Sequence, residues 1–161
     1  MKSINEKSLV LLLKEKGLKV STAESLTGGM IACKITSVPG ASSVIEYGFV
    51  TYSDAAKHEI LGVENETLEK HTAVSNETAR EMAIGALNRA GSDIAVAVTG
   101  YAGPDGGSEP AGTVYLCAVR RFGAVVKTLD KNLFIDGGRE DVRKATAKEA
   151  IEALYTLAEI K

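Results

Sequence analysis

The run Ile94-Ala-Val-Ala-Val-Thr99 constrains the fold more than any other stretch. It is an uninterrupted series of small and β-branched residues, the pattern of a central strand buried on both faces. Helical and strand patterns alternate around it. Residues 4–15 read as a helix, with apolar positions at Leu9, Val10, Leu12 and Leu13 and a stop at Gly17. Residues 18–23 read as a strand, 27–36 as a helix opened by Gly28-Gly29, 41–45 as a short helix after Pro39-Gly40, and 46–52 as a strand. A helix follows from Ser53 to before Gly62, and another covers 64–70. Ser75 reads as the N-cap of a helix that runs to Ala90 and closes at Gly91. Beyond the Gly-rich stretch, 112–119 and 124–135 form two strands joined by a tight turn at 121–123, and 138–160 forms the last helix. The expected fold class is α/β: a three-layer α/β/α sandwich with a mixed, mostly parallel sheet.

A chain of 161 residues has the size of one domain, so 1–161 is read as a single unit. With 5% aromatics and no Trp, its core must rest on Ala, Val, Ile and Leu. The 19 basic residues against 21 acidic ones are dispersed, with neither a basic block for nucleic acid nor an acidic tail. Cys33 and Cys117 have no metal-ligand spacing and sit in apolar contexts, so both are expected as reduced core residues. The polar N-terminus and the short apolar run at 9–13 contain no signal or membrane span. A cytoplasmic protein with no membrane partner is expected.

Three strand ends carry the chemistry-bearing residues. The first is Ser21-Thr-Ala-Glu-Ser-Leu-Thr-Gly-Gly29, a strand entering a helix through a hydroxyl-rich turn. Ser25 there is placed either to attack a carbonyl or merely to cap the helix. Amides of Thr27, Gly28 and Gly29 would hold an oxyanion in the first case. Glu24 is read as a structural acceptor that holds the turn. The nucleophile-elbow pattern GxSxG is absent.

The second strand end is Phe49-Val-Thr-Tyr-Ser-Asp-Ala-Ala-Lys57. A Ser53 or Asp54 cap puts Lys57 in the first helical turn, where burial and the helix dipole both lower its pKa toward that of a neutral base. Tyr52 would donate a hydrogen bond into the same crevice. A surface lysine beside a core tyrosine is the bland alternative.

The third is the loop from Thr99 to Thr113, in which Gly100, Ala102, Gly103 and Gly106 offer backbone amides for an anion nest. It is neither a P-loop nor GxGxxG, and a flexible loop is the alternative. Arg139 and Arg143 share one helical face and would meet a phosphate or carboxylate, or simply solvent. His58 and His71 lack a third ligand, so no metal is expected.

Taken together, AESLTGG at 23–29, GFVTYSDAAK at 48–57, HTAVS at 71–75 and GYAGPDGGSEPAGTVY at 100–115 resemble the signature blocks of the CinA C-terminal domain family, over nearly the whole chain. The resemblance implies a stand-alone amidohydrolase that deamidates nicotinamide mononucleotide. Ser25 would be its nucleophile, Lys57 the other half of a dyad, and Tyr52 a third catalytic group. The loop at 100–107 would bind substrate, with Arg143 from the GxRxxVR pattern. Leu26 stands where some members have Cys, and Tyr101 where some have Ile. No cofactor is implied. The implied partner is a small nucleotide substrate, with a homo-oligomer, first a dimer, as the expected assembly. The rival readings are a non-catalytic nucleotide-binding or regulatory module, a different amidase or nucleotide hydrolase, and, more weakly, a DNA-binding role.

Overall fold

The computed structural model describes residues 3–104 and 107–161. Helix α1 (Glu6–Lys16) starts at Asn5, whose side chain accepts from the Lys7 and Ser8 amides, and ends at Gly17 in the left-handed conformation. Strand β1 (Val20–Glu24), helix α2 (Met30–Thr36) and strand β2 (Ile45–Val50) follow. Then come α3 (Asp54–Leu61), α4 (Asn65–His71) and α5 (Asn76–Ala90). Strands β3 (Ile94–Gly100), β4 (Thr113–Phe122) and β5 (Val125–Phe134) lead into α6 (Arg139–Glu159).

The five strands form one sheet in the order β2-β1-β3-β4-β5. β1 pairs in parallel with both β2 and β3, while β3–β4 and β4–β5 are antiparallel. Four strands therefore run one way and only β4 opposes them, which is the mixed, mostly parallel sheet expected.

β3 shows why its sequence has no polar face. Ile94, Val96 and Val98 point into a core built with Leu9, Leu13, Ile31, Ile35, Leu154 and Leu157 of α1, α2 and α6. Ala95 and Ala97 point the other way, against Ala79, Met82, Ala83 and Ala86 of α5. Branched side chains fill the wider layer, and alanines let α5 lie close to the sheet. Each fully buried Ile, Val or Leu stabilises the fold by about 1.5–3 kcal/mol. The close approach recurs between α5 and α3, where a Cβ on Gly85 would stand 1.9 Å from the Leu61 carbonyl oxygen.

Several local expectations change. Helix α2 begins at Met30, not at 27, because Gly28 (φ 57°) and Gly29 (φ 106°) are both left-handed and cannot continue a right-handed helix. The 41–45 segment is a single 3₁₀ turn, Ala41–Ser43. The hairpin turns at 123–124, since β4 pairs with β5 as far as Phe122 opposite Val125. Cys33 is exposed, not core. It lies two residues from both Ile31 and Ile35, and the i,i+4 pair faces inward while the residue between them faces out. No helix among the described residues is long and apolar enough to cross a membrane.

Candidate active site

From β1 the chain crosses to β2 on one side, then returns past β1 to β3 on the other. The carboxyl ends of β1 and β3 thus flank a topological switch point, where doubly wound sheets open a crevice. Ser25 leaves β1 at that point and the Gly-rich loop leaves β3 beside it.

The turn carrying Ser25 is held from below by Glu24, which is fully buried. One carboxylate oxygen accepts from Thr27 Oγ1 at 2.6 Å and the Ile31 amide at 2.9 Å, and the other from the Ala32 amide at 3.1 Å. These amides belong to the first turn of α2, which has no intrahelical acceptors for them. From above, Arg143 of α6 donates through Nε to the Leu26 carbonyl at 3.0 Å and through Nη2 to the Thr27 carbonyl at 3.4 Å. Its Nη1 is held by Glu140 at 2.9 Å. Arg143 is thus spent on the backbone of the Ser25 turn and does not line the crevice.

Lys57 comes from α3, whose N-cap Ser53 accepts from the Ala56 amide. The Lys57 amide closes the first turn onto the Ser53 carbonyl, and its side chain runs inward. Only 1% of the residue is exposed. Nζ donates to Ser25 Oγ at 3.1 Å, to the Thr51 carbonyl at 2.8 Å and to the Tyr52 carbonyl at 3.4 Å. Burial lowers its pKa to about 8, against a smaller upward pull from Asp54. A buried amine in this range has a substantial neutral fraction near physiological pH, with the Ser25 hydroxyl as its only side-chain partner among the described residues.

Beside Leu26, the residue after Ser25, a crevice of about 170 Å³ is lined also by Tyr52, Gly100, Tyr101, Ala102, Gly103 and Arg139. Tyr52 is 64% exposed on its rim, and its hydroxyl accepts from Arg139 Nη2 at 3.3 Å. A Cβ on Gly103 would meet the same guanidinium at 3.4 Å, so Arg139 spans the mouth between Tyr52 and the loop. Of the three amides expected to face an oxyanion, Gly28 N–H is already committed to the Ser25 carbonyl at 3.1 Å. The N–H groups of Thr27 and Gly29 have no acceptor among the described residues. Gly106 lies outside the described residues.

The structure therefore gathers Ser25, Lys57, Thr27, Gly29, Gly100, Ala102, Gly103 and the Tyr52 side chain at one sheet end. Sequence reasoning did not find the Thr51 carbonyl, because a backbone acceptor leaves no residue-type signal. Arg143, expected to bind substrate, instead grips the Leu26 and Thr27 carbonyls, whereas Arg139, its neighbour on the same helical face, lines the crevice. His58 is tied to the Val63 carbonyl at 2.7 Å, and no group of three or more His, Cys, Asp or Glu that could hold a metal occurs among the described residues.

A doubly wound α/β sandwich with a serine hydroxyl against a buried, low-pKa lysine at its switch point defines a distinct class of fold and site. The chain belongs to the CinA C-terminal domain family, whose model matches residues 2–158. Over 137 residues it is 50% identical to a protein named nicotinamide-nucleotide amidohydrolase PncC from Enterobacter agglomerans, covering 84% of this chain and 82% of that one. It is 46% identical over 151 residues to a CinA-like protein of Akkermansia muciniphila, covering 92% of this chain but 36% of that longer protein. The chain thus spans about a third of the length of such relatives. Among solved structures, the competence/damage-inducible protein CihA from Agrobacterium tumefaciens superposes with a TM-score of 0.91 at 44% identity, covering 96% of this chain and 93% of that one.

Proposed function

We propose that this chain is an amidohydrolase that converts nicotinamide mononucleotide to nicotinic acid mononucleotide and ammonia. The observation that carries the reading is the 3.1 Å contact between Ser25 Oγ and the Nζ of a lysine that is 1% exposed. The half-identical relative named as a nicotinamide-nucleotide amidohydrolase supplies the substrate class.

In this mechanism neutral Lys57 takes the Ser25 proton as Oγ attacks the carboxamide carbon. The carbonyls of Thr51 and Tyr52 fix Nζ so that its lone pair can face Oγ. The free amides of Thr27 and Gly29 are the available donors for the tetrahedral oxyanion. The Lys57 ammonium returns its proton to the leaving nitrogen, ammonia departs, and water hydrolyses the acyl-serine with Lys57 again as base. The 170 Å³ crevice suits the pyridine ring, and Arg139 with the amides of Ala102 and Gly103 suits the phosphate at its mouth. Tyr52 then acts at the rim, through its hydroxyl toward substrate and its carbonyl toward Lys57.

The test is ammonia release from nicotinamide mononucleotide by wild type and Ser25→Ala, without added metal. Release by wild type that falls at least a thousandfold in the variant is expected. Near-normal release by Ser25→Ala would refute the nucleophile, and no release by wild type would favour the non-catalytic nucleotide-binding module.

A further inference from the structure

On the face formed by α1, α2 and α6 lies a second concavity, of about 580 Å³, which shares no lining residue with the first. Its floor is apolar: Met30 at the start of α2, Ile4 before α1, and Ile151 of α6, which is 2% exposed. Three ammonium groups stand around it. Lys34 comes from α2, and Lys144 and Lys148, four residues apart, share one face of α6. None of the three pairs with, or donates to, any group among the described residues. Lys16 and Lys131, by contrast, hold the Ala158 carbonyl at 2.6 Å and the Glu149 carboxylate at 2.9 Å. Glu6 supplies the single carboxylate on the rim, so the groove carries a net charge of +2 from three lysines and one glutamate.

Like charges gathered over an apolar floor repel one another, and an anion placed among them relieves that repulsion while its apolar part covers the floor. The volume falls inside the range of about 300–1,000 Å³ that small-molecule sites occupy. A concavity of this size suits a small ligand, where a macromolecular partner would need a broad complementary face. We propose that this groove binds a small amphipathic anion. An apolar ring or medium-length chain rests on Met30, Ile4 and Ile151, and a phosphate, sulfonate or carboxylate sits among Lys34, Lys144 and Lys148. The site is separate from the catalytic crevice and does not depend on the reaction assigned to it.

Anilinonaphthalene sulfonate, which pairs a fluorescent apolar ring system with one sulfonate, is the probe. The expected result is saturable binding of one molecule per chain, weakened about tenfold in Lys34→Gln/Lys144→Gln/Lys148→Gln. Lys148→Gln alone should weaken it by less. Decyl phosphate should displace the probe, whereas decanol, inorganic phosphate and nicotinamide mononucleotide at the same concentrations should not. Ammonia release by the triple variant should equal that of wild type. No saturable binding, binding indifferent to the lysines, equal displacement by decanol, or displacement by the mononucleotide would each overturn the assignment. So would lysine-dependent sedimentation with phosphatidylglycerol vesicles that leaves probe binding intact, which would make the face a lipid contact.

Discussion

Lys57→Met separates catalysis from stability in opposite directions. A lysine held at a pKa of about 8, against its ordinary value near 10.5, is stabilised as the neutral amine and penalised as the ammonium. The drop corresponds to about 3 kcal/mol of folding free energy carried as a cost by the charged form. The sign follows from proton counts. Between pH 8 and 10.5 the unfolded chain holds the proton and the folded chain releases it, so stability rises with pH across that window. Below pH 8 the full penalty is present. Methionine fills a similar shape without charge and removes the penalty, but it leaves the Thr51 carbonyl without its 2.8 Å donor. That loss costs about 1–2 kcal/mol. The net expectation at pH 7 is a gain of about 1–2 kcal/mol, or a rise in melting temperature of roughly 2–8 °C for a domain of this size. Ammonia release should meanwhile fall by at least about a hundredfold, the scale on which a positioned base acts. Thermal melts at pH 7 and 10, with ammonia assays on the same samples, check both halves. The variant's advantage should shrink as pH rises above 8 and become a deficit by about pH 10, where most of the ammonium penalty is gone and the lost hydrogen bond remains. A variant less stable than wild type at pH 7 would refute the reasoning, since Lys57 would then be a structural cross-link and not a strained base.

Two further expectations concern the same site. If neutral Lys57 is the base, kcat/KM should climb with pH through a midpoint near 8 and level off above it. The neutral fraction goes from roughly a tenth at pH 7 to a half at pH 8, a gain of about fivefold, and a flat profile from pH 6.5 to 9 would exclude that role. Arg143→Lys loses the two-pronged grip on the Leu26 and Thr27 carbonyls. As a positioning change it should lower kcat about tenfold with KM within twofold and the pH midpoint unmoved. A raised KM at constant kcat would instead mean that Arg143 contacts substrate.

Much of this architecture was written locally. Asn5, Ser53 and Ser75 cap the helices they precede, and Gly17, Gly62 and Gly91 close helices in the left-handed conformation. The unbroken apolar run of β3 marks it as central, because a strand covered on both faces has no polar side to display. Ser25 and Lys57 stood out as the residues after two strand ends, since a parallel strand end is where backbone and dipole are left free for chemistry. The start of α2 lies three residues beyond the expected one because helix periodicity says nothing about a pair of left-handed glycines. Cys33 is exposed against expectation because an apolar neighbourhood in sequence does not say which side of a helix a residue faces.

Other features belong to the tertiary structure alone. Whether Lys57 is a surface cation or a base depends on its being sealed under Thr51 and Tyr52, which sequence spacing leaves open. That Arg143 is consumed by the Leu26 and Thr27 carbonyls follows from where α6 comes to rest against the turn after β1. The same packing sets Arg139 at the mouth of the crevice, donating to the Tyr52 hydroxyl. Sequence by itself determined the order of helices and strands and the residue types at their ends, because capping, turn preference and hydrophobic period act within a few residues. The tertiary structure decided which of those residues meet and which lose their water, because hydrogen-bond partners 32 and 117 positions apart are set only by packing of the whole chain.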